Sequence, residues 1–220
     1  MSAAPAPRVQ GDERVRGDEL STGVGPIPRG SGREAIGTAA REVFHERGYH
    51  GASIRDIAGR AGLSLSALYY WHSSKQDLLA ALIEENVLDY FRRCDEALSP
   101  VPEGEVVERL KALVRATVEY RVQRRTESNI SAREWRNLDA GQEERLAGLR
   151  TKASTIWSDI VDEGVRQGVF RCAHPADARR AAQAACNAIA EWYDPAGETT
   201  MAELVEHYTL IVLRIVDHRP

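Results

Sequence analysis

Apolar residues recur along this chain with a helical period. Ile36, Ala40, Val43 and Phe44 fall at i, i+4, i+7 and i+8, one face of a helix that begins at Arg33 and ends at Gly48. Ser53, with Asp56 three residues on, predicts a capping box and a short helix that breaks at Gly62. Ser64 caps a further helix through Leu68 to about Trp71. Ser74 and Asp77 start a long helix with Leu79, Leu82, Ile83, Val87, Tyr90, Phe91 and Cys94 on its buried side. The run Ser99-Pro100-Val101-Pro102 closes it, because proline lacks the donor that would continue the ladder.

The second half repeats the pattern with longer elements. Helices are predicted over Glu103–Arg125, Ser128–Leu138 and Gln142–Gln167, the last stopping at Gly168. Pro175 opens the next helix, where its missing N–H is harmless, and that helix runs to Tyr193. After the turn Asp194-Pro195-Ala196-Gly197, Thr200 and Glu203 cap a last helix ending near Val216. No stretch alternates as a strand would, so the expectation is an all-α chain of about nine helices.

Composition narrows the function. The 220 residues are 43% hydrophobic and 28% charged, ordinary for a globular protein with one or two domains. A net charge of -4 argues against coating nucleic acid by bulk charge. No uncharged apolar stretch approaches a membrane helix and no signal-peptide core is visible, so a cytoplasmic protein without membrane contact is expected. Cys94, Cys172 and Cys186 are widely spaced and form no CxxC, and the six histidines form no HxxxH or HExxH pair. Neither a metal nor a cofactor is implied, and no nucleophile elbow, dinucleotide fingerprint or phosphate loop suggests an enzyme. Residues 1–32, with Pro5, Pro7, Pro26, Pro28 and balanced charges, read as a disordered arm, in which Arg29 lies near enough to the folded part to reach a DNA minor groove.

The segment SIRDIAGRAGLSLSALYYWHSSK, residues 53–75, has two short helices joined by a glycine turn. Ala58 stands where they cross, and Ile57, Ala61, Leu63 and Leu68 supply the apolar set beneath, which is the helix-turn-helix arrangement whose second helix enters a DNA major groove. Residues 33–80 hold six basic and five acidic side chains, while 81–220 hold nineteen and twenty-four. A weakly basic head on an acidic body suits local phosphate contacts with clear salt dependence.

Together with REAIGTAAREVFHERG before it, GYHGASIRDIAGRAGLSLSALYYWHSSKQDLL resembles the N-terminal DNA-binding domain of TetR-family transcriptional repressors. The resemblance implies a homodimer on a palindromic operator, with a DNA-binding domain over 33–80 and a ligand-binding and dimerisation domain over 81–220. A ligand in the second domain would reset the spacing of the recognition helices. Carried onto this chain, the DNA contacts would come from Ser53, Ile54 and Arg55, from Ser64, Leu65, Ser66 and Ala67, and from Tyr69, Tyr70 and Lys75. Leu65 stands where relatives often have a polar or basic residue; it suits a thymine methyl and cannot read guanine. Trp71-His72 departs from the usual order, which suggests a repacked contact between recognition helix and linker helix.

Residues 182–196, AQAACNAIAEWYDPA, resemble the C-terminal domains of TetR-type repressors of fatty-acid and sterol breakdown, whose effectors are acyl-coenzyme A thioesters. Read directly, the alanines at 181, 182, 184, 185, 188 and 190 permit close helix approach and, with Leu204, Tyr208, Ile211, Val212 and Ile215, a four-helix dimer interface. Arg121, Arg124 and Arg125 at i, i+3 and i+4, with Arg133 and Arg136 beside Trp135, offer cations for a nucleotide. The candidate effector-binding residues are Arg121, Arg125, Trp135, Trp157, Asn187 and Trp192. Two other readings remain open here: a multidrug sensor binding planar cations among Trp135, Trp157 and Trp192, and a redox sensor acting through a cysteine.

Overall fold

The structure, a computed structural model, describes residues 31–219; residues 1–30 of the arm expected over 1–32 lie outside the described residues, and Ser31 and Gly32 are already helical. Nine α-helices follow in order among those residues: α1 (Ser31–Gly51), α2 (Ile54–Arg60), α3 (Leu65–Trp71), α4 (Lys75–Leu98), α5 (Val106–Gln123), α6 (Arg125–Glu134), α7 (Ala140–Arg166), α8 (Pro175–Trp192) and α9 (Met201–Ile215). A 3-10 turn, Trp135–Asn137, links α6 to α7. The chain is all-α, as its periodicity predicts.

Side-chain caps set the starts of α2, α3, α4 and α9. Ser53 Oγ accepts from Asp56 N at 3.1 Å while Ser53 N donates to Asp56 Oδ2 at 3.2 Å, closing the box before α2. Ser64 Oγ accepts from Ala67 N at 3.2 Å, and Ser74 Oγ from Asp77 N at 3.0 Å. Thr200 and Glu203 exchange the same pair of bonds at the start of α9. At the end of α2, Gly62 takes φ 67°. Its N–H bonds Gly59 O at 3.2 Å and that of Leu63 bonds Ala58 O at 3.0 Å. This left-handed closure turns the chain sharply into α3 and suits glycine, which has no Cβ to clash there.

Several boundaries shift by a few residues from expectation, and the one that bears on the cavity lies between α5 and α6. Arg124 adopts φ -114° and ψ 43°, ending α5 at Gln123, and α6 starts at Arg125 rather than Ser128. The two segments are therefore separate rods, and side chains on either side of Arg124 no longer follow one helical register.

Two cores result. In the head, Ile36, Ala40, Val43 and Phe44 of α1 close over Ile57 and Ala58 of α2, Leu68 of α3, and Leu78, Leu79 and Ile83 of α4. Ile130 of α6, with Leu138 and Leu146 around the start of α7, joins the same cluster, so the head is continuous with the body. In the body, α5 packs on α4, α7, α8 and α9, with Leu110, Leu113, Val114 and Val118 against Tyr90, Phe91, Trp157 and Ile189. Among the described residues no helix is long and apolar enough to cross a membrane.

Candidate nucleic-acid interface and ligand cavity

In α3, the seven residues Leu65–Trp71 divide cleanly between a packed face and an open one. Leu68 is fully buried, Leu65 is half-buried against the head core, and Tyr69 and Tyr70 are 48% and 81% exposed. Ser66, Tyr69 and Tyr70 lie at i, i+3 and i+4, so one exposed face carries three hydroxyls. Arg55 on α2 is exposed and has no ion-pair partner among the described residues. The hydroxyls of Ser53 and Ser64 are engaged as caps, Ser53 also donating to Asp56 Oδ2 at 2.6 Å. Leu65 and Ala67 are only partly open, which confines their contribution to apolar contact. Ile54 is likewise half-buried, packed against the head core.

The expected phosphate contact at Lys75 needs revision. Its ammonium donates to Tyr49 O at 2.8 Å and Ala52 O at 2.9 Å and sits 4.2 Å from the Tyr49 ring centroid. Two of the three ammonium protons are thus committed to carbonyls just before α2. Lys75 positions the reading unit, and replacing it with methionine is expected to cost about 2 kcal/mol of stability, the scale of losing bonds to a charged donor. DNA affinity should fall with an unchanged salt slope, whereas loss of a direct phosphate contact would lower the slope by about 1. Calorimetry and anisotropy at several salt concentrations separate the two.

Trp71 and His72 also part company. Trp71 is 39% exposed, with its indole nitrogen 3.4 Å from where a Cβ on Gly32 would stand, so it faces the start of α1. His72 is buried, its Nδ1 3.7 Å from Asp77 Oδ2, and makes the contact with α4. Burial holds the His72 pKa below its ordinary value, against the pull of Asp77, so the ring stays neutral near pH 7.

In the body, α4, α5, α6, α7 and α8 enclose a cavity of about 420 Å³, within the usual range for a small-molecule site. Arg121 projects into it from α5. Its Nε donates to Asn187 Oδ1 at 3.0 Å and its Nη1 to Ser128 Oγ at 3.2 Å. The guanidinium carbon lies 4.9 Å from the Tyr90 ring centroid and 5.6 Å from that of Tyr120. Tyr120 Oη donates towards Asn86, whose Nδ2 donates to Ser131 Oγ at 2.7 Å. Trp135 forms one wall, with Arg150 stacked 5.5 Å from its ring.

Of the six candidate effector residues, Arg121, Trp135 and Asn187 line this cavity. The other three do not. Arg125 donates to Ala190 O at 2.9 Å and Glu191 O at 3.2 Å, capping the end of α8. Trp157 is fully buried behind Tyr90, donating to its hydroxyl at 3.2 Å. Trp192 is 53% exposed and stacks on Tyr208 outside the cavity. The five arginines therefore form no single cationic patch: Arg124 pairs with Asp89 and Glu127, and Arg133 and Arg136 are exposed. The break at Arg124 is the reason, since it turns Arg121 and Arg125 onto different helices.

Sequence reasoning passed over Arg150, Asn86, Asn129 and Gln183, all of which line the cavity. Asn86 carried a readable signal. It interrupts the apolar stripe four residues after Leu82 and four before Tyr90, where a buried polar group needs a reason.

The wall is also tied to the head. Two residues after Trp135, Asn137 O accepts from Gln76 Nε2 at 2.6 Å, and Asn137 Oδ1 lies 2.9 Å from His50 Nε2. Asp139 N donates to Gln76 Oε1 at 3.1 Å. Gln76 is adjacent to Lys75 at the start of α4, so a displaced Trp135 has a continuous polar route to the chain entering α2.

Comparison with known proteins fits this two-part layout. Residues 36–82 match the family of bacterial regulatory proteins of the tetR type, and residues 103–216 match the tetracyclin repressor-like C-terminal domain. The HTH-type transcriptional repressor KstR2 of Rhodococcus jostii is 27% identical over 176 residues, covering 79% of this chain and 85% of that protein. The structure of the ketosteroid transcriptional regulator KstR2 of Mycobacterium tuberculosis superposes with a TM-score of 0.74 at 24% identity, covering 83% of this chain and 93% of that one. AibR, solved with isovaleryl coenzyme A and operator DNA, gives 0.76 at 20% identity over 86% of this chain and 100% of its own. At these identities the two structures show a shared fold. With the C-terminal match alone spanning more than half the chain, the protein belongs to the TetR family of bacterial regulators.

Proposed function

We propose that the protein is a homodimeric transcriptional repressor that leaves a palindromic operator when an acyl-CoA thioester enters the cavity. The observation that carries the reading is the division of α3 into a buried Leu68 and an open face of Ser66, Tyr69 and Tyr70, held at a fixed angle by the Gly62 turn. On this reading residues 33–80 contact DNA, residues 81–220 bind the effector and the second subunit, and the protein works in the cytoplasm. The role needs no catalytic step.

Several features support a thioester effector. Arg121 and Arg150 border the cavity, and the solved relative AibR carries isovaleryl coenzyme A. Dimerisation is assigned to α8 and α9, where Ala181, Ala184, Ala188 and Trp192 form one exposed stripe beside Leu210 and Ile211. The two other readings find less support. Trp135, Trp157 and Trp192 do not share a site, and two arginines at the cavity oppose a cationic drug. Burial pushes the Cys94 thiol up to about 11 and Cys186 up to about 12, leaving both protonated and poorly reactive near neutral pH.

Fluorescence anisotropy on DNA from the gene's own upstream region tests the function. Saturable binding as a dimer, released by thioesters and not by the matching free acids, is the expected result. Absence of specific binding to that DNA overturns the operator assignment, and tight binding unaffected by any thioester overturns the effector class.

A further inference from the structure

The cavity contains donors without acceptors. Only Nε and Nη1 of Arg121 have hydrogen-bond partners among the described residues, and both partners are neutral. No carboxylate there lies within 4.0 Å of the Arg121 or Arg150 guanidinium, whereas Arg92, Arg124 and Arg145 elsewhere in the body each have one. Trp135 Nε1 is a buried donor with no partner. Ser131 Oγ accepts from Asn86, which leaves its own proton to give. Glu191 is the one carboxylate on the lining, against two cations, and it is exposed.

Unpaired buried donors and a half-buried cation cost free energy that an anionic acceptor recovers. The lining also sets amides and hydroxyls among apolar surface from Val87, Tyr90, Trp135 and the alanines at 132, 153 and 190. A long hydrocarbon chain would leave those polar groups unsatisfied, and a short acyl group ending in a charge would satisfy them. We infer that the cavity takes a compact acyl unit ending in a second carboxylate, bound by the open edge of the Arg121 guanidinium in the bidentate manner of arginine–carboxylate pairs. This inference rests on the thioester reading above for the identity of the carrier, and on the cavity alone for the carboxylate.

Isothermal titration calorimetry with succinyl-CoA, butyryl-CoA, palmitoyl-CoA and free glutarate tests it on the full chain. Succinyl-CoA and butyryl-CoA have the same acyl length and differ at the end that would meet Arg121. Succinyl-CoA is expected to bind at least about tenfold more tightly, the ratio of a charge-assisted bond. In Arg121→Gln the preference should shrink to about twofold or less, while Arg150→Gln should retain it, since Arg150 is exposed on the Trp135 ring. The wild-type panel decides the matter even if Arg121→Gln does not fold. Equal or tighter binding of butyryl- or palmitoyl-CoA overturns the inference and leaves the thioester reading standing. Binding of glutarate alone, lost in Arg121→Gln, overturns the thioester reading and supports the carboxylate site. Binding of none of them overturns both.

Discussion

Glutamate at both Leu210 and Ile211 is expected to leave the protein monomeric and to remove measurable operator binding at concentrations that saturate the wild type. Leu210 and Ile211 are 56% and 44% exposed on α9, while Leu204, Val205 and Val212 on its other side are buried in the body core. Such large apolar side chains standing together in water mark an association surface. A two-fold interface repeats each substitution, so the variant places four carboxylates where apolar contact is needed, without acceptable partners. Losing the second subunit also removes the advantage of two linked half-sites, typically about 10²–10⁴-fold in affinity. Sedimentation velocity should show the mass halved, and circular dichroism should show unchanged helicity, because neither side chain supports its own subunit. A variant that remains dimeric at micromolar concentration would place the interface elsewhere.

Gly164→Ala should be the most destabilising single methyl in the body. A Cβ at Gly164 would overlap Cδ2 and Cε2 of Phe170 and stand 2.8 Å from its Cγ. Phe170 is 1% exposed and cannot swing aside into solvent. The backbone is equally committed: Gly164 O accepts from Val169 N and Phe170 N, both at 3.0 Å, as the left-handed turn at Gly168 closes α7. Forcing a methyl into such a contact costs about 1–3 kcal/mol and sometimes more. For a chain of this size that lowers Tm by about 2–12 °C. Phe170 also meets the His218 ring edge-on at 6.0 Å, and Arg171 N donates to Val216 O at 3.1 Å. The strain therefore reaches the end of α9, and the dimer should weaken along with the monomer. Calorimetry with an unchanged Tm would show that the turn shifts to accommodate the methyl.

How legible these features are in the sequence follows from how local they are. The starts of α2, α3, α4 and α9 depend on a hydroxyl and an amide three residues apart, so Ser53, Ser64, Ser74 and Thr200 announce them directly. The helix-turn-helix is legible for the same reason, its turn needing a positive φ at Gly62 and small or apolar residues at set offsets. The cavity is different, because five helices must meet before any residue lines it. Arg121 and Arg125 share a face on paper, yet the dihedrals of Arg124 split the helix between them, a consequence of packing that no local residue signals. Trp157 and Trp135 look alike as candidate walls; only the docking of α7 on Tyr90 sends the first into the core. Lys75 stands where a phosphate contact is expected, and its inward turn depends on carbonyls 23 and 26 residues earlier in the chain.

The head uses its cations sparingly. Arg41 pairs with Glu85, Arg47 with Asp56, Arg60 with Glu42 and Glu46, and Lys75 bonds carbonyls. Among the described residues of the head, Arg33 and Arg55 are the cations without such partners. Two per subunit displace few condensed counterions, for a dependence on log salt with a slope of about -4 from these residues in a dimer. The described part of the head thus adds little sequence-independent attraction of its own, so on the proposed function its share of the discrimination between operator and arbitrary sequence rests on base-edge contacts instead of bulk charge.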